Sequence, residues 1–385
     1  MRVLVAHNRY RSAAPSGENR MVDAEIALLR DAGVDVVEMV AESEDISGLG
    51  GVVRAAPGPV YSPSGVRRFR RLLAEARPDV VHLHNVYPLI SPYVVRVADR
   101  AGVPVVQTVH NYRHGCVNAL HLRDGHNCTD CLGTRLGLPA VRYGCYRGSR
   151  AQTIPMTIGQ NVHRRTWRDG VDRYLALTPF MREKLVATGV PSHRVTIRPT
   201  WVADPGDVTA PGRDVLFVGR LDVPKGVDRL LDAWAAGGRD GGRRLRIVGD
   251  GPLADRVAAA AVSDDSLEHV GPLDSDGVRA EMRRAAYVVV ASRFFEGYPL
   301  VVAEAFGAGR PVLTVYGGSV GSIVGDEGGW TVPPTTEAVA TALASITDDD
   351  VHRQSKEARL RFERDNTASR GLASLLAVYD EVIRR

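Results

Sequence analysis

Short runs rich in β-branched residues alternate along the chain with segments whose apolar residues recur every three or four positions. That alternation predicts βα units assembled into parallel sheets. In the first half the strands are expected at 3–6, 34–40, 80–84, 103–109, 174–178 and 195–198. A helix from Arg20 carries Val22, Ile26 and Leu29 on one face and ends at Ala32-Gly33. A polar Pro/Gly-rich stretch, 204–213, breaks the pattern and reads as an interdomain linker. A second series then follows, with strands expected at 214–218, 245–248, 268–270, 287–291 and 311–315. The last helix places Leu372, Leu375, Leu376, Tyr379, Val382 and Ile383 on one stripe, so it must dock on something.

Composition narrows the picture. At 385 residues the chain is too long for one ordinary core and suits two α/β domains in tandem. The expected division is 1–203, with a cysteine-containing insertion at 113–150, then the linker, then 214–368 and a final helix over 369–385. Hydrophobic residues make up 44% and charged residues 24%, as in a folded globular protein. A net charge of +4 is too small to suggest nucleic acid as the main ligand. The first residues turn polar too soon for a secretion signal, and no apolar run reaches the length of a membrane span, so a cytoplasmic protein is expected. Positive charge is nearly all arginine: Lys184, Lys225 and Lys356 are the only lysines.

The chemistry concentrates in 296–304, EGYPLVVAE, which follows an apolar strand and runs into a helix. Gly297 and Pro299 make the bend. The amides of Leu300 and Val301 open the helix, where its dipole favours an anionic group such as a phosphate. Glu296 and Glu304 would repel that anion, so they suit hydrogen bonds from sugar hydroxyls instead. The turn VGRLDVPKG sets Gly219, Arg220 and Lys225 after another strand, at the edge where open α/β sheets bind ligands. An arginine fork and a lysine point charge together fit a diphosphate.

Other motifs compete. In VGDGPLAD, Gly249, Gly251 and Ala254 fit G-x-G-x-x-A, and Glu268 stands about where a ribose-binding acid would, the signature of a nicotinamide oxidoreductase. Pro252 at a helix start explains the same turn. Asp274 and Asp276 resemble a metal-binding D-x-D but precede a helix, where N-capping is expected. His110 ends a first-half strand, the edge from which catalytic groups project, and Asn111 follows it. His82 and His84 are read as pointing to opposite faces of one strand and so unable to chelate together; His84 is assigned to the acceptor side and His82 to no site. Gly17, in the loop 12–19, would let the backbone approach a ligand closely.

Cys116, Cys128, Cys131 and Cys145 are spaced C-x11-C-x2-C-x13-C. A C-x2-C knuckle with two further thiolates can close a tetrahedral structural zinc site, with four buried thiols as the alternative. The stretch 66–73, VRRFRRLL, is basic and amphipathic; it is either a solvated helix face or a peripheral contact with anionic lipid.

Taken together these motifs resemble glycosyltransferase family 4, retaining nucleotide-sugar glycosyltransferases of GT-B fold. EGYPLVVAE matches the family's E-x7-E motif, VGRLDVPKG its Arg/Lys phosphate motif, and VGDGP and the His110 segment match too. The GEN loop and the cysteine segment ending GCYRGS are similar to bacterial members linked to polysaccharide or glycoconjugate assembly. The first loop departs from the pattern, reading PSGEN where many members carry a double glycine. The resemblance implies two Rossmann-like domains, an active site in the cleft, and a last helix crossing back to the first domain. It implies that Arg220 and Lys225 hold the diphosphate, Glu296 the donor sugar, Glu304 the ribose, with Gly17 facing the diphosphate and His110 beside the transferred sugar. The expected activity is hexosyl transfer from a UDP- or GDP-sugar to an acceptor hydroxyl of a sugar, lipid-linked or small molecule, with no catalytic metal. An NAD-dependent oxidoreductase, a sugar-nucleotide epimerase and a zinc-organised binding protein are the alternatives.

Overall fold

Val3, Leu4, Val5 and Ala6 are all buried, although successive residues of a strand face opposite ways. A strand can satisfy that only if helices cover both faces of its sheet, which is the condition of a parallel sheet. The computed structural model describes residues 1–10, 16–134, 136–325 and 327–384. It divides into two units: Met1–His121, Cys128–Arg198 and Leu372–Arg385 form the first, and Leu122–Asn127 with Pro199–Gly371 the second.

In the first unit β1 (Arg2–Arg9), β2 (Asp35–Glu42), β3 (Val80–Leu83) and β4 (Val105–Val109) precede a short antiparallel hairpin, β5 (Leu122–Arg123) and β6 (His126–Asn127). After it come β7 (Arg173–Ala176) and β8 (Val195–Ile197). The six-stranded sheet has the order β2-β1-β3-β4-β7-β8, with every pair parallel. The first helix runs Gly17–Asp31, three residues earlier than expected, because the Ser16 side chain caps it by accepting from the Asn19 amide. Val22, Ile26 and Leu29 pack on Val3, Val5, Val80 and Val106.

The second unit comprises β9 (Asp214–Val218), β10 (Leu245–Val248), β11 (Leu267–Gly271), β12 (Ala285–Val290), β13 (Val312–Val315) and β14 (Gly329–Val332). Their order is β11-β10-β9-β12-β13-β14, again parallel throughout. One core face holds Val215, Phe217, Leu230, Trp234 and Leu313; the other holds Leu216, Val288, Val302, Phe306 and Phe362. β14 was not expected, since GWTV is too short to show periodicity; pairing with β13 defines it.

Two segments differ from expectation. The stretch 204–213 lies within the second unit, held there by Arg310, whose buried guanidinium donates to Thr209 O and Oγ1, Ala210 O, Met282 O and Arg283 O. Of the apolar stripe on the last helix (Ala368–Ile383), Leu375, Tyr379 and Val382 are buried in the first unit's core, while Ile383 is exposed. Among the described residues no helix is long and apolar enough to cross a membrane.

Candidate active site

From β9 the chain of the second unit steps to β10 and β11 on one side, then returns to β12 on the other. At such a reversal the connections leaving two neighbouring strands part in opposite directions and open a crevice at the strand ends. The loop after β9 carries Gly219, Arg220 and Lys225; the loop after β12 carries Glu296 and Gly297 and leads into the Leu300–Gly307 helix. The two loops touch. Gly226 has φ +73°, and a Cβ there would lie 2.0 Å from the Ala291 carbonyl oxygen, so only glycine fits.

Lys225 Nζ meets both carboxylate oxygens of Glu296, at 2.7 and 2.9 Å, and lies 5.5 Å from the centre of the Phe294 ring. Ser292 Oγ also donates to Glu296. Glu296 is buried, and the Lys225 and Ser292 donors fix its carboxylate. Asp222 ties the basic loop together: it accepts from the Lys225 amide at 3.0 Å and pairs with Arg220 Nε at 3.1 Å, leaving the rest of the exposed Arg220 fork in solvent. Pro299 caps the Leu300–Gly307 helix, and the Leu300 and Val301 amides stand in its first turn, where helix geometry supplies no carbonyl partner. Glu304 lies one turn further along the same helix.

The glycines of VGDGP have a different job from the one a nicotinamide fold would give them. A Cβ on Gly249 would meet Gly219 O at 1.9 Å, and one on Gly251 would meet Leu221 O at 2.6 Å. They let the loop after β10 pack on the loop after β9, which Leu221 N→Asp250 O and Leu253 N→Leu221 O then join. Glu268 is paired with Arg246. Asp274 caps its helix through the Gly277 amide at 2.8 Å, and Asp276 pairs with Arg279.

In the first unit the corresponding reversal falls between β1 and β3. Gly17 stands at the start of the first helix; residues 12–15 of its loop lie outside the described residues. His84 follows β3 and His110 follows β4, and His84 Nδ1 lies 2.9 Å from His110 Nε2. Both line a small cavity with Glu18, Tyr87, Asn111 and Arg113. The expectation that His82 and His84 face opposite ways is corrected: residues two apart share a face because the strand repeats every two residues. Their rings lie 4.4 Å apart, and both approach the buried Glu25 carboxylate at 3.4 Å.

Burial and the neighbouring His84 and His7 hold the His110 imidazole well below its ordinary range, so it is neutral near pH 7. Burial pushes the Glu18 carboxyl up to about 7, opposed by Arg113 and a hydrogen bond from Asn111. Glu18 and Arg113 went unassigned in the sequence. Glu25 left a legible signal, a carboxylate three positions after Val22 and four before Leu29, on the apolar stripe.

The four cysteines form no disulfide. Cys131 and Cys145 pack on Val117, Ala140 and Met156. Burial, then the nearby Cys116, Cys145 and Cys128, push the Cys131 thiol up to about 11.

Two family models match the chain in succession: residues 11–201 fit one described as a glycosyl transferase 4-like domain, and residues 212–349 one described as glycosyl transferases group 1. A phosphatidyl-myo-inositol mannosyltransferase of Mycobacterium leprae is 27% identical over 97% of this chain and 95% of its own length. An exopolysaccharide phosphotransferase of Streptomyces coelicolor is 34% identical over 36% of this chain, which spans only 15% of that relative. Among solved structures, Anabaena Alr3699/HepE, in complex with UDP and glucose, superposes with a TM-score of 0.65 at 14% identity, covering 99% of this chain and all of that one. That likeness is one of fold.

Proposed function

Because the chain belongs to the group 1, family 4-like glycosyltransferases of GT-B fold, we propose that it moves a hexosyl group from a UDP- or GDP-sugar to an acceptor hydroxyl in glycoconjugate synthesis, with retention at the anomeric carbon. The observation that carries this reading is the pairing of Lys225 with both oxygens of Glu296 beside the first turn of the Leu300–Gly307 helix. A buried carboxylate beside a bound diphosphate is unfavourable unless a cation balances their charges, and Lys225 is the cation paired with Glu296. With it in place, Glu296 can accept hydrogen bonds from sugar hydroxyls while Lys225, Arg220 and the Leu300 and Val301 amides take the diphosphate.

The chemical step needs charge stabilisation above all. As the glycosidic bond lengthens, negative charge grows on the leaving diphosphate, and fixed cations and amides stabilise it without reorganising. Glu304 would hold the ribose, and Gly17 would face the diphosphate. His110, neutral, would bond a sugar hydroxyl, and Asn111 and His84 belong to the acceptor side. No catalytic metal is required by this scheme. The Anabaena complex with UDP supports a nucleotide donor, and the mannosyltransferase relative supports a hexose. Arg67, Arg68, Arg70 and Arg71 are exposed on the Pro63–Ala76 helix while Val66, Phe69 and Leu73 are buried; the basic face suits peripheral contact with anionic lipid.

A donor panel tests the reading. A UDP- or GDP-sugar at about 100 times its dissociation constant should stabilise the protein by roughly 2.7 kcal/mol, and NAD should not. Lys225→Ala and Glu304→Ala should each weaken donor binding roughly tenfold or more, as loss of a charged hydrogen bond does. Unchanged affinity and turnover in both variants would remove the donor-site assignment.

The cysteine insertion is proposed to hold a structural zinc through Cys116, Cys128, Cys131 and Cys145. Zinc ligation demands thiolates, so binding would reverse the upward displacement of the Cys131 thiol and release protons. Elemental analysis of protein purified without added zinc should find about one equivalent; a trace far below stoichiometry would dismiss the site.

A further inference from the structure

Behind His110 the first unit buries Arg198 and Glu25, which the transfer scheme leaves unused, in one row with His84. Arg198 Nη1 donates to Glu25 Oε2 at 2.6 Å. Glu25 Oε1 lies 3.4 Å from His84 Nε2 and equally far from His82 Nδ1, and among the described residues neither Glu25 Oε1 nor His84 Nε2 has a hydrogen-bond partner of better geometry. His84 Nδ1 then lies 2.9 Å from His110 Nε2. Arg198, Glu25 and His84 are buried; His110, at the end of the row, is half-buried and lines the cavity.

The proton positions along this row follow from the charge at its inner end. Burial alone would raise the Glu25 carboxyl, but Arg198 and the contacts from His84 and His82 outweigh it and hold it well below the usual carboxylate range. Glu25 is therefore an acceptor only. His84 must direct Nε2–H at it, because a bare nitrogen there would set lone pair against lone pair. With Nε2 carrying the ring's single proton, the His84 Nδ1 is bare and accepts from His110 Nε2–H at 2.9 Å.

The remaining neighbours do not break the sequence. His82 is bonded on both sides, to Tyr379 through Nδ1 at 2.6 Å and to Thr108 through Nε2 at 2.8 Å. His7 Nε2 is bonded to Asn19 at 2.9 Å. A metal at Glu25, His82 and His84, whose ligand atoms lie within 4.8 Å of one another, would compete with the Arg198 charge already on Glu25 and with both partners of His82.

We propose that Glu25 is a positioning residue for His110. Acting through His84, it fixes His110 as the Nε2–H tautomer, so that the ring presents its Nδ1 lone pair to a substrate hydroxyl. This rests on the reading of the protein as a glycosyltransferase in which His110 touches the sugar. In that tautomer the row makes His110 an acceptor of a hydroxyl proton.

Imidazole nitrogen NMR on the wild-type chain, with His84 and His110 signals identified by single-site variants, tests the tautomers directly. Both should read as Nε2–H near neutral pH; Nδ1–H on either overturns the proposal. Glu25→Gln should release the tautomers, lower kcat roughly ten- to a hundredfold and change its pH profile, with donor KM within about twofold, the scale at which outer partners of a working histidine act. Unchanged tautomers and kcat in that variant also overturn it. Should Glu25→Gln fail to fold with Arg198 left unpaired, the wild-type spectrum still decides. Failure of the wider reading looks different: no sugar nucleotide is turned over by any form, whatever the tautomers.

Discussion

Lys225 and Gly226 show how closely a single position can be bound to the site. Lys225 is one of three lysines in a chain whose cations are otherwise arginine, and it is the one paired with Glu296. An ammonium on a flexible stem can serve a carboxylate and a phosphate together, which a guanidinium fork aligned on one partner does poorly. Gly226→Ala is predicted to destabilise strongly, because its backbone is left-handed and the new methyl would overlap the Ala291 carbonyl. Thermal unfolding should show a loss of roughly 1–3 kcal/mol, accompanied by weaker donor binding. A variant as stable and active as wild type would mean that the contact between the loops after β9 and β12 relaxes freely. At this scale much was readable: Glu296, Arg220 and Lys225 were singled out from turn chemistry and residue type, and the structure pairs Lys225 with Glu296. Glu25 was not, since a carboxylate on an apolar stripe announces an anomaly without naming its partners.

At the scale of elements, helices are held by caps and by the faces they bury. The last helix brings Leu375, Val378, Tyr379 and Val382 to the core that contains β1, β3 and the first helix. Its Tyr379 hydroxyl also bonds His82, which packs beside the polar row behind His110. Leu375→Ala should cost about 2–5 kcal/mol as a buried cavity, readable in denaturant melts. A loss under about 0.5 kcal/mol, the size of a surface substitution, would show that the helix is not docked. The apolar stripe announced docking from sequence alone. It could not say on what, because a stripe records only that a face is hidden. β14 illustrates the opposite case, a four-residue strand with no local pattern, created by pairing with β13.

For the whole molecule, buried histidines set the response to acid. Burial and His84 lower His7 to about 3, and burial and Arg113 lower His114 to about 4; His82 and His110 are displaced the same way by burial and His84. Below pH 6.5 the unfolded chain takes up protons that these rings refuse in the fold, so stability falls as pH drops, by about 1.4 kcal/mol per pH unit for each ring. Glu25, held low, adds a loss in the same direction below its unfolded value of 4.5. Glu18, raised to about 7, acts oppositely: its contribution is complete below 4.5 and lost as pH rises through 7. Several histidines outweigh one carboxyl, so melting temperature should fall between pH 7 and 5. A flat or rising profile over that interval would mean that the histidines are hydrated.

The sequence by itself determined two parallel α/β units and singled out the charged turns after β9 and β12, because periodicity, turn residues and side-chain chemistry are local properties. Tertiary structure alone decided which strand ends adjoin: β9 beside β12 brings Lys225 to Glu296, 71 residues apart in sequence. It also decided that Arg198, Glu25, His84 and His110 form one row. Such pairings depend on strand order, and strand order is settled by how complete sheets bury their faces, which no stretch of residues records within itself.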